Sequence, residues 1–250
     1  VVLLGASNLT RGLPTVLRTT RRHWGGPVSA WIAAGHGRSY GIPSTAFGRT
    51  LPGILQSELW EALDRQAIEP AAALVTDIGN DLMFDVPVEQ IAAWVDACID
   101  RLQSAATQVV LTRLPVMNLA RMTPHRFYVL RSLLFPNCRL SFETIIERAA
   151  ALDDAVERLG LQRGVHLEQP RPHWYGFDPI HVRYRRLDQA WSTLLSAWRQ
   201  AQPTSMERRD WRDWWRIMRL KPARRWVRGV ELRARQPALV LADGTSIALY

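Results

Sequence analysis

The chain has 250 residues, 47% of them hydrophobic and 22% charged, a size and balance that suit one α/β domain with an appendage and argue against wholesale disorder. No apolar run approaches the roughly 20 residues needed to cross a bilayer, and the opening Val1-Val2-Leu3-Leu4 has neither the basic flank nor the length of a signal peptide, so the cytoplasm is the default expectation. The net charge of +9 is concentrated: between Glu207 and Arg235 eleven basic residues face four acidic ones, so the basicity belongs to a tail and does not make the whole molecule a nucleic-acid binder.

Five short apolar runs of β type, Val1–Leu4, Val28–Ala33, Ala72–Ile78, Gln108–Arg113 and Gly164–Leu167, alternate with stretches of helical period. That is the pattern of a parallel sheet covered by helices on both faces. The clearest helix spans Val88–Ala105, with Val88, Ile91, Val95, Ile99 and Leu102 on one face. A helix at Phe142–Leu159 is expected to end before Gly160 and Gly164. Another runs from about Tyr184 to Ala201, with Leu187, Trp191, Leu194, Leu195 and Trp198 in one stripe. The two cysteines, Cys98 and Cys138, cannot make a disulfide scaffold or a four-ligand zinc site.

After Gln202-Pro203 the character changes. Met206–Leu220 reads as a basic helix with Trp211, Trp214, Trp215 and Met218 on one stripe. Val227–Arg235 then alternates, and Asp243-Gly244 between two β-type runs predicts a two-residue hairpin in which both central residues take positive φ. The expected architecture is a three-layer α/β/α sandwich over residues 1–202, with a five-stranded parallel sheet in the flavodoxin-like order 2-1-3-4-5. Residues 203–250 form an Arg/Trp-rich extension of one helix and a small β-meander. The Trp stripe fits a lid or brace on its own core or a homo-oligomer interface, and fits a membrane surface or nucleic acid less well.

Ligands of open α/β sheets gather at the carboxyl ends of the strands. There the sequence places Gly5-Ala6-Ser7-Asn8, then Gly35-His36-Gly37-Arg38-Ser39-Tyr40-Gly41, then Asp77-Ile78-Gly79-Asn80-Asp81, and finally Asp178-Pro179-Ile180-His181. A hydroxyl, a glycine backbone, a side-chain amide and an Asp/His pair are the parts of an acyl-transfer site. A serine hydroxyl needs a base within hydrogen-bond reach to become a nucleophile, and a neutral imidazole held by a carboxylate is such a base.

This arrangement resembles the SGNH (GDSL-type) hydrolase superfamily over about residues 1–200. The resemblance implies the flavodoxin-like sandwich and a catalytic set of Ser7, Asp178 and His181. It also implies an oxyanion hole from the Ser7 and Gly37 backbone and the Asn80 side chain, and neither metal nor organic cofactor. Gly37-Arg38-Ser39 looks like the Gly-Arg-Ser of the carbohydrate acetylesterase branch, so the expected substrate is a small ester, an acetylated sugar or another short acyl ester. Two positions depart from the family pattern. Ala6 replaces the acid beside the nucleophile, and Ile78 stands where a glycine precedes Gly79-Asn80-Asp81.

Other readings stand beside this one. Gly37-Arg38-Ser39-Tyr40-Gly41 also matches the nucleophile elbow Gly-x-Ser-x-Gly, which would make Ser39 the nucleophile, but Gly41-Ile42-Pro43 is a poor start for the helix that an elbow requires. Ser7 could be a helix N-cap, and His173 competes with His181 for the base. The same site would serve an acyltransferase, and a non-catalytic binder would work through the Arg/Trp tail instead.

Overall fold

The structure, a computed structural model, describes residues 1–103, 107–198 and 210–250. In chain order its elements are β1 (Val2–Leu4), α1 (Ser7–Trp24), β2 (Ser29–Ala33), β3 (Ser44–Ala46), β4 (Arg49–Leu51), α2 (Leu59–Arg65), β5 (Ala72–Val75), α3 (Val88–Leu102), β6 (Gln108–Thr112) and α4 (Val116–Ala120). There follow α5 (Pro124–Leu134), α6 (Phe142–Arg163), β7 (His166–Glu168), α7 (Leu187–Leu194), α8 (Trp211–Met218), β8 (Arg224–Val227), β9 (Val230–Arg233), β10 (Leu239–Val240) and β11 (Ser246–Leu249).

The central sheet runs β10-β11-β2-β1-β5-β6-β7, and every neighbouring pair but β10–β11 is parallel. The five strands expected from the sequence stand in the expected order, but the sheet has seven. β11 lies parallel beside β2, with Ile247 opposite Ala30, and β10 pairs with it on the outer edge. Its Ile247 and Leu249 continue the apolar face that β2 would otherwise leave open. The meander is therefore divided between two sheets, and its hairpin joins the edge of its own chain.

Alternation along the strands sorts the core into two layers. Val2, Leu4, Ala73, Val75 and Leu111 face α2, α3 and α6, while Leu3, Leu74, Val110 and Ile247 face α1 and α7. These chains are fully buried, and burial of each Val, Leu or Ile contributes about 1.5–3 kcal/mol. Helix α1 sits close enough to α7 that a Cβ on Gly12 would lie 2.1 Å from Trp191 Nε1. The start of α1, directly after β1, is thereby fixed at the carboxyl end of the sheet.

Several boundaries differ from expectation. Helix α6 continues through Gly160 to Arg163 and stops at Gly164, which is left-handed at φ 62°. Gly160 is there for packing, since a Cβ would meet Leu167 Cδ2 at 2.5 Å. The helix expected from Tyr184 begins as a 3-10 turn over Tyr184–Arg186 and is α-helical over Leu187–Leu194; residues 199–201 and 206–209, like the 202/203 boundary, lie outside the described residues, as does Ala105. The Asp243-Gly244 turn is a three-residue loop in which only Gly244 has positive φ, at 93°. Gly244 N–H bonds to Leu241 O, and Leu241 N–H to Thr245 O, a type I turn closed by a bulge glycine.

The Trp stripe does not pack on the core. Trp211 is 67% exposed, Trp214 and Trp215 are exposed as well, and α8 is anchored through Ile217, which is 5% exposed. Among the described residues no helix is long and apolar enough to cross a membrane.

A second, antiparallel sheet runs β3-β4-β8-β9. Its β3–β4 turn places Phe47 and Gly48 at φ 51° and 70°, and Arg49 and Thr50 of β4 pair with Val227 and Trp226 of β8. This sheet braces the loop after β2 from outside: Ala46 Cβ lies 3.6 Å from where a Cβ on Gly37 would be.

Candidate active site

Ser7 opens α1 immediately after β1 and is 8% exposed. Its Oγ lies 2.8 Å from His181 Nε2, and His181 Nδ1 lies 2.5 Å from Asp178 Oδ2. The Asp-x-x-His segment is compact because Asp178 Oδ1 also accepts the backbone N–H groups of Ile180 (3.0 Å) and His181 (3.2 Å). One carboxylate thus shapes the turn and holds the ring. Burial raises the Asp178 carboxyl's pKa, but the hydrogen bond and charge of His181 and the two N–H groups outweigh it and leave it below the ordinary value. A hydroxyl, an imidazole and an ionised carboxylate therefore form one hydrogen-bonded row, able to pass a proton from the serine to the ring.

Asn8 ties this turn to the serine loop. Its Nδ2 donates to Ile180 O at 2.8 Å and its Oδ1 accepts Val182 N–H at 2.8 Å. Asp77, left-handed at φ 59° after β5, accepts Ala6 N–H (2.9 Å), Leu9 N–H (3.1 Å) and Asn8 Nδ2 (2.8 Å). The sequence has no acid at position 6, and Asp77 brings a carboxylate to the same turn from the neighbouring strand. It accepts N–H groups that the first turn of a helix leaves unpaired.

Asn80 follows β5 in a 3-10 turn over Ile78–Phe84. Its Nδ2 is buried without a hydrogen-bond partner, and Asn80 lines the same cavity, of about 110 Å³, that Ser7 lines. Gly37 follows β2 with φ 61°, a conformation that favours glycine. Next to it, His36 stands edge-on to Phe47 at 5.5 Å. Its pKa is lowered by burial and then by the charges of Arg49, His181 and Arg11, against a smaller opposing effect of Asp77.

No family model and no curated protein matches the chain. Solved structures do. The inhibitor-bound aryl esterase of M. smegmatis superposes with a TM-score of 0.52 at 15% identity, over 78% of this chain and 96% of that one. Est24, a carbohydrate acetylesterase from Sinorhizobium meliloti, gives 0.50 at 14% identity, over 78% and 96%. The chain has the SGNH-hydrolase fold.

Within the SGNH fold, the rival serine is accounted for. Ser39 is 0% exposed; its Oγ donates to Asp81 and accepts the N–H groups of Gly41 (3.1 Å) and Ile42 (3.0 Å). Asp81 also accepts Tyr40 N–H at 3.1 Å. Burial pushes the Asp81 carboxyl up to about 6, against the opposing hydrogen bonds of Ser39 and Tyr40. No helix follows Ser39; the chain goes on to β3. Arg38 is equally buried, donating to the backbone oxygens of Pro52, Ala34 and Tyr250, and burial lowers its pKa to about 9. Arg38 and Ser39 hold the loop together from inside. His173 is exposed on its own 3-10 turn, edge-on to Trp174.

Sequence reasoning brought Ser7, Asp178 and His181 into one row and Asn80 to the cavity beside them. It assigned no part to Asp77 or to the Asn8 bridge. The signal for Asp77 was available: an acid directly after the third parallel strand, opposite a first turn that lacks one.

Proposed function

We propose that the chain hydrolyses carboxylic esters through an acyl-enzyme on Ser7. The observation that carries this reading is the row Ser7 Oγ–His181 Nε2–Asp178, with the serine 2.8 Å from the ring. His181 Nδ1–H donates to Asp178, which leaves the Nε2 lone pair facing the serine hydroxyl. As Ser7 Oγ bonds to the ester carbon, its proton moves to Nε2, and Asp178 stabilises the imidazolium that forms. Collapse of the tetrahedral intermediate breaks the bond to the alcohol oxygen, which takes the proton from Nε2. Water then repeats the sequence on the acyl-enzyme, releasing the acid and restoring Ser7. An alcohol in place of water would make the same residues an acyltransferase.

Negative charge developing on the carbonyl oxygen is assigned to the Ser7 and Gly37 N–H groups and to Asn80 Nδ2. The buried, unpartnered Asn80 amide on the wall that Ser7 shares supports this, since a buried donor without a partner is costly unless something it binds completes it. One such donor accounts for roughly 100- to 1,000-fold in rate. The aryl esterase and carbohydrate acetylesterase that share the fold support the reaction class.

Hydrolysis of p-nitrophenyl esters by the wild type, Ser7→Ala and His181→Ala tests the reading. Each substitution is expected to lower kcat by at least about a thousandfold, with residual catalysis from the oxyanion donors, while the thermal transition is retained. Full activity in folded Ser7→Ala would contradict it.

A further inference from the structure

We infer that the acyl group taken by this site is a straight alkyl chain of about six carbons, held in an apolar channel that leads from Ser7 past Ile180 to the underside of α5. This rests on the acyl-enzyme reading above. It differs from the acetyl group expected from the sequence; Arg38 and Ser39, which suggested acetyl esters, are buried within the loop.

Two cavities lie side by side along this line. The first, of about 110 Å³, has Ser7 and Asn80 on its wall, so an acyl carbon bonded to Ser7 Oγ with its oxygen at Asn80 stands at its mouth. The second, of about 50 Å³, lies among Met122, Phe127, Leu130 and Leu134. Met83, Leu119, Ile145 and Ile180 wall both cavities, so the same four apolar side chains stand between them. Met83 is only half-buried, and a thioether chain with three rotatable bonds yields more readily than a branched one.

Size and chemistry then select the occupant. A dry apolar cavity of about 150 Å³ accepts benzene, a six-carbon guest, and the two cavities together are of that order. An acetyl group places one carbon beyond the carbonyl and would leave most of the walls without contacts. The second cavity offers a charged or sugar-like acyl group little: Arg131, its one basic side chain, already donates to Leu140 O at 2.9 Å. Arg113, the one basic side chain on the first cavity, already binds Asp153 at 2.6 Å and Glu157 at 2.5 Å. The alcohol half of the ester belongs on the opposite side, where His181 Nε2 must deliver its proton.

The test is kcat/KM for p-nitrophenyl acetate, butyrate, hexanoate, octanoate and dodecanoate with the full chain, in wild type, Met83→Trp and Ser7→Ala. Each buried methylene contributes roughly fourfold, so a rise of at least tenfold from acetate to hexanoate is expected, with no gain at dodecanoate. In Met83→Trp the hexanoate-to-acetate ratio should fall at least fivefold. Ser7-dependent turnover that is highest on acetate, or that still rises at dodecanoate, would overturn the channel and leave the acyl-enzyme standing. A hexanoate preference indifferent to Met83→Trp would overturn it too. No Ser7-dependent turnover at any length would overturn both.

Discussion

Asp77 holds three groups of the serine turn with one carboxylate: the N–H groups of Ala6 and Leu9, and the Asn8 amide that reaches on to the His181 turn. Removing it loosens both ends of the Ser7–His181 contact without touching either residue. Displacements of about 1 Å at a reacting centre cost roughly a hundredfold, so Asp77→Ala is expected to lower kcat by about that much with little change in KM. Steady-state kinetics on one ester checks this, and an effect confined to KM would remove Asp77 from the positioning machinery. Asp178 makes a different prediction. Its pKa is held low, chiefly through its contacts with His181 against the effect of burial, so it stays ionised while the acid limb of the activity profile develops. Activity should fall with decreasing pH, and Asp178→Asn should lower kcat by about 10⁴-fold. The sign for stability is the same: with a lowered folded-state value, Asp178 stabilises the fold above the unfolded carboxylate range. That contribution is lost as pH falls through the lowered value.

At the level of elements, the loop after β2 is held by Ser39 and Asp81 in the interior. Ser39→Ala removes a donor to a buried carboxyl and an acceptor for two N–H groups, a loss of about 1–3 kcal/mol. Since Asp81 titrates near 6 in the folded state, its burial costs least below the unfolded value and most above 6, where the carboxylate needs the Ser39 hydroxyl. The drop in Tm for Ser39→Ala should therefore be larger at pH 8 than at pH 5, and the variant should still hydrolyse esters. The same elements show what a sequence exposes and what it hides. β1, β2, β5 and β6 were legible because buried parallel strands are continuous apolar runs between helices. β3 and β4 were not: three residues each, polar in Ser44, Thr45 and Thr50, they turn at Phe47-Gly48, which lacks the Asn-Gly or Asp-Gly sign. The course of α6 through Gly160 was hidden because a packing glycine and a terminating glycine look alike in one dimension. Ser7, Asp178 and His181 were legible because each follows a strand or sits in a short spaced motif, whereas Asp77 acts across 68 to 71 positions of sequence.

At the scale of the molecule, residues 210–250 complete the structure. β11 closes the β2 edge, Tyr250 stacks on Trp31 at 6.0 Å and accepts from Arg38, and β8 pairs with β4 beside the Gly37 loop. Ile247, fully buried, should cost about 2–5 kcal/mol as Ile247→Ala. Trp214→Ala on the exposed stripe should stay within about 0.5 kcal/mol; chemical denaturation of the two variants separates a structural segment from an appended one. Equal losses would contradict this division.

Whether Ser7 is the activated nucleophile is decided by reacting the full chain with a fluorophosphonate and locating the adduct by peptide mass mapping. A single phosphonylated residue, Ser7, is expected, lost in Ser7→Ala and in His181→Ala and retained in Ser39→Ala. An adduct on Ser39, or a folded wild type that takes none, would contradict it.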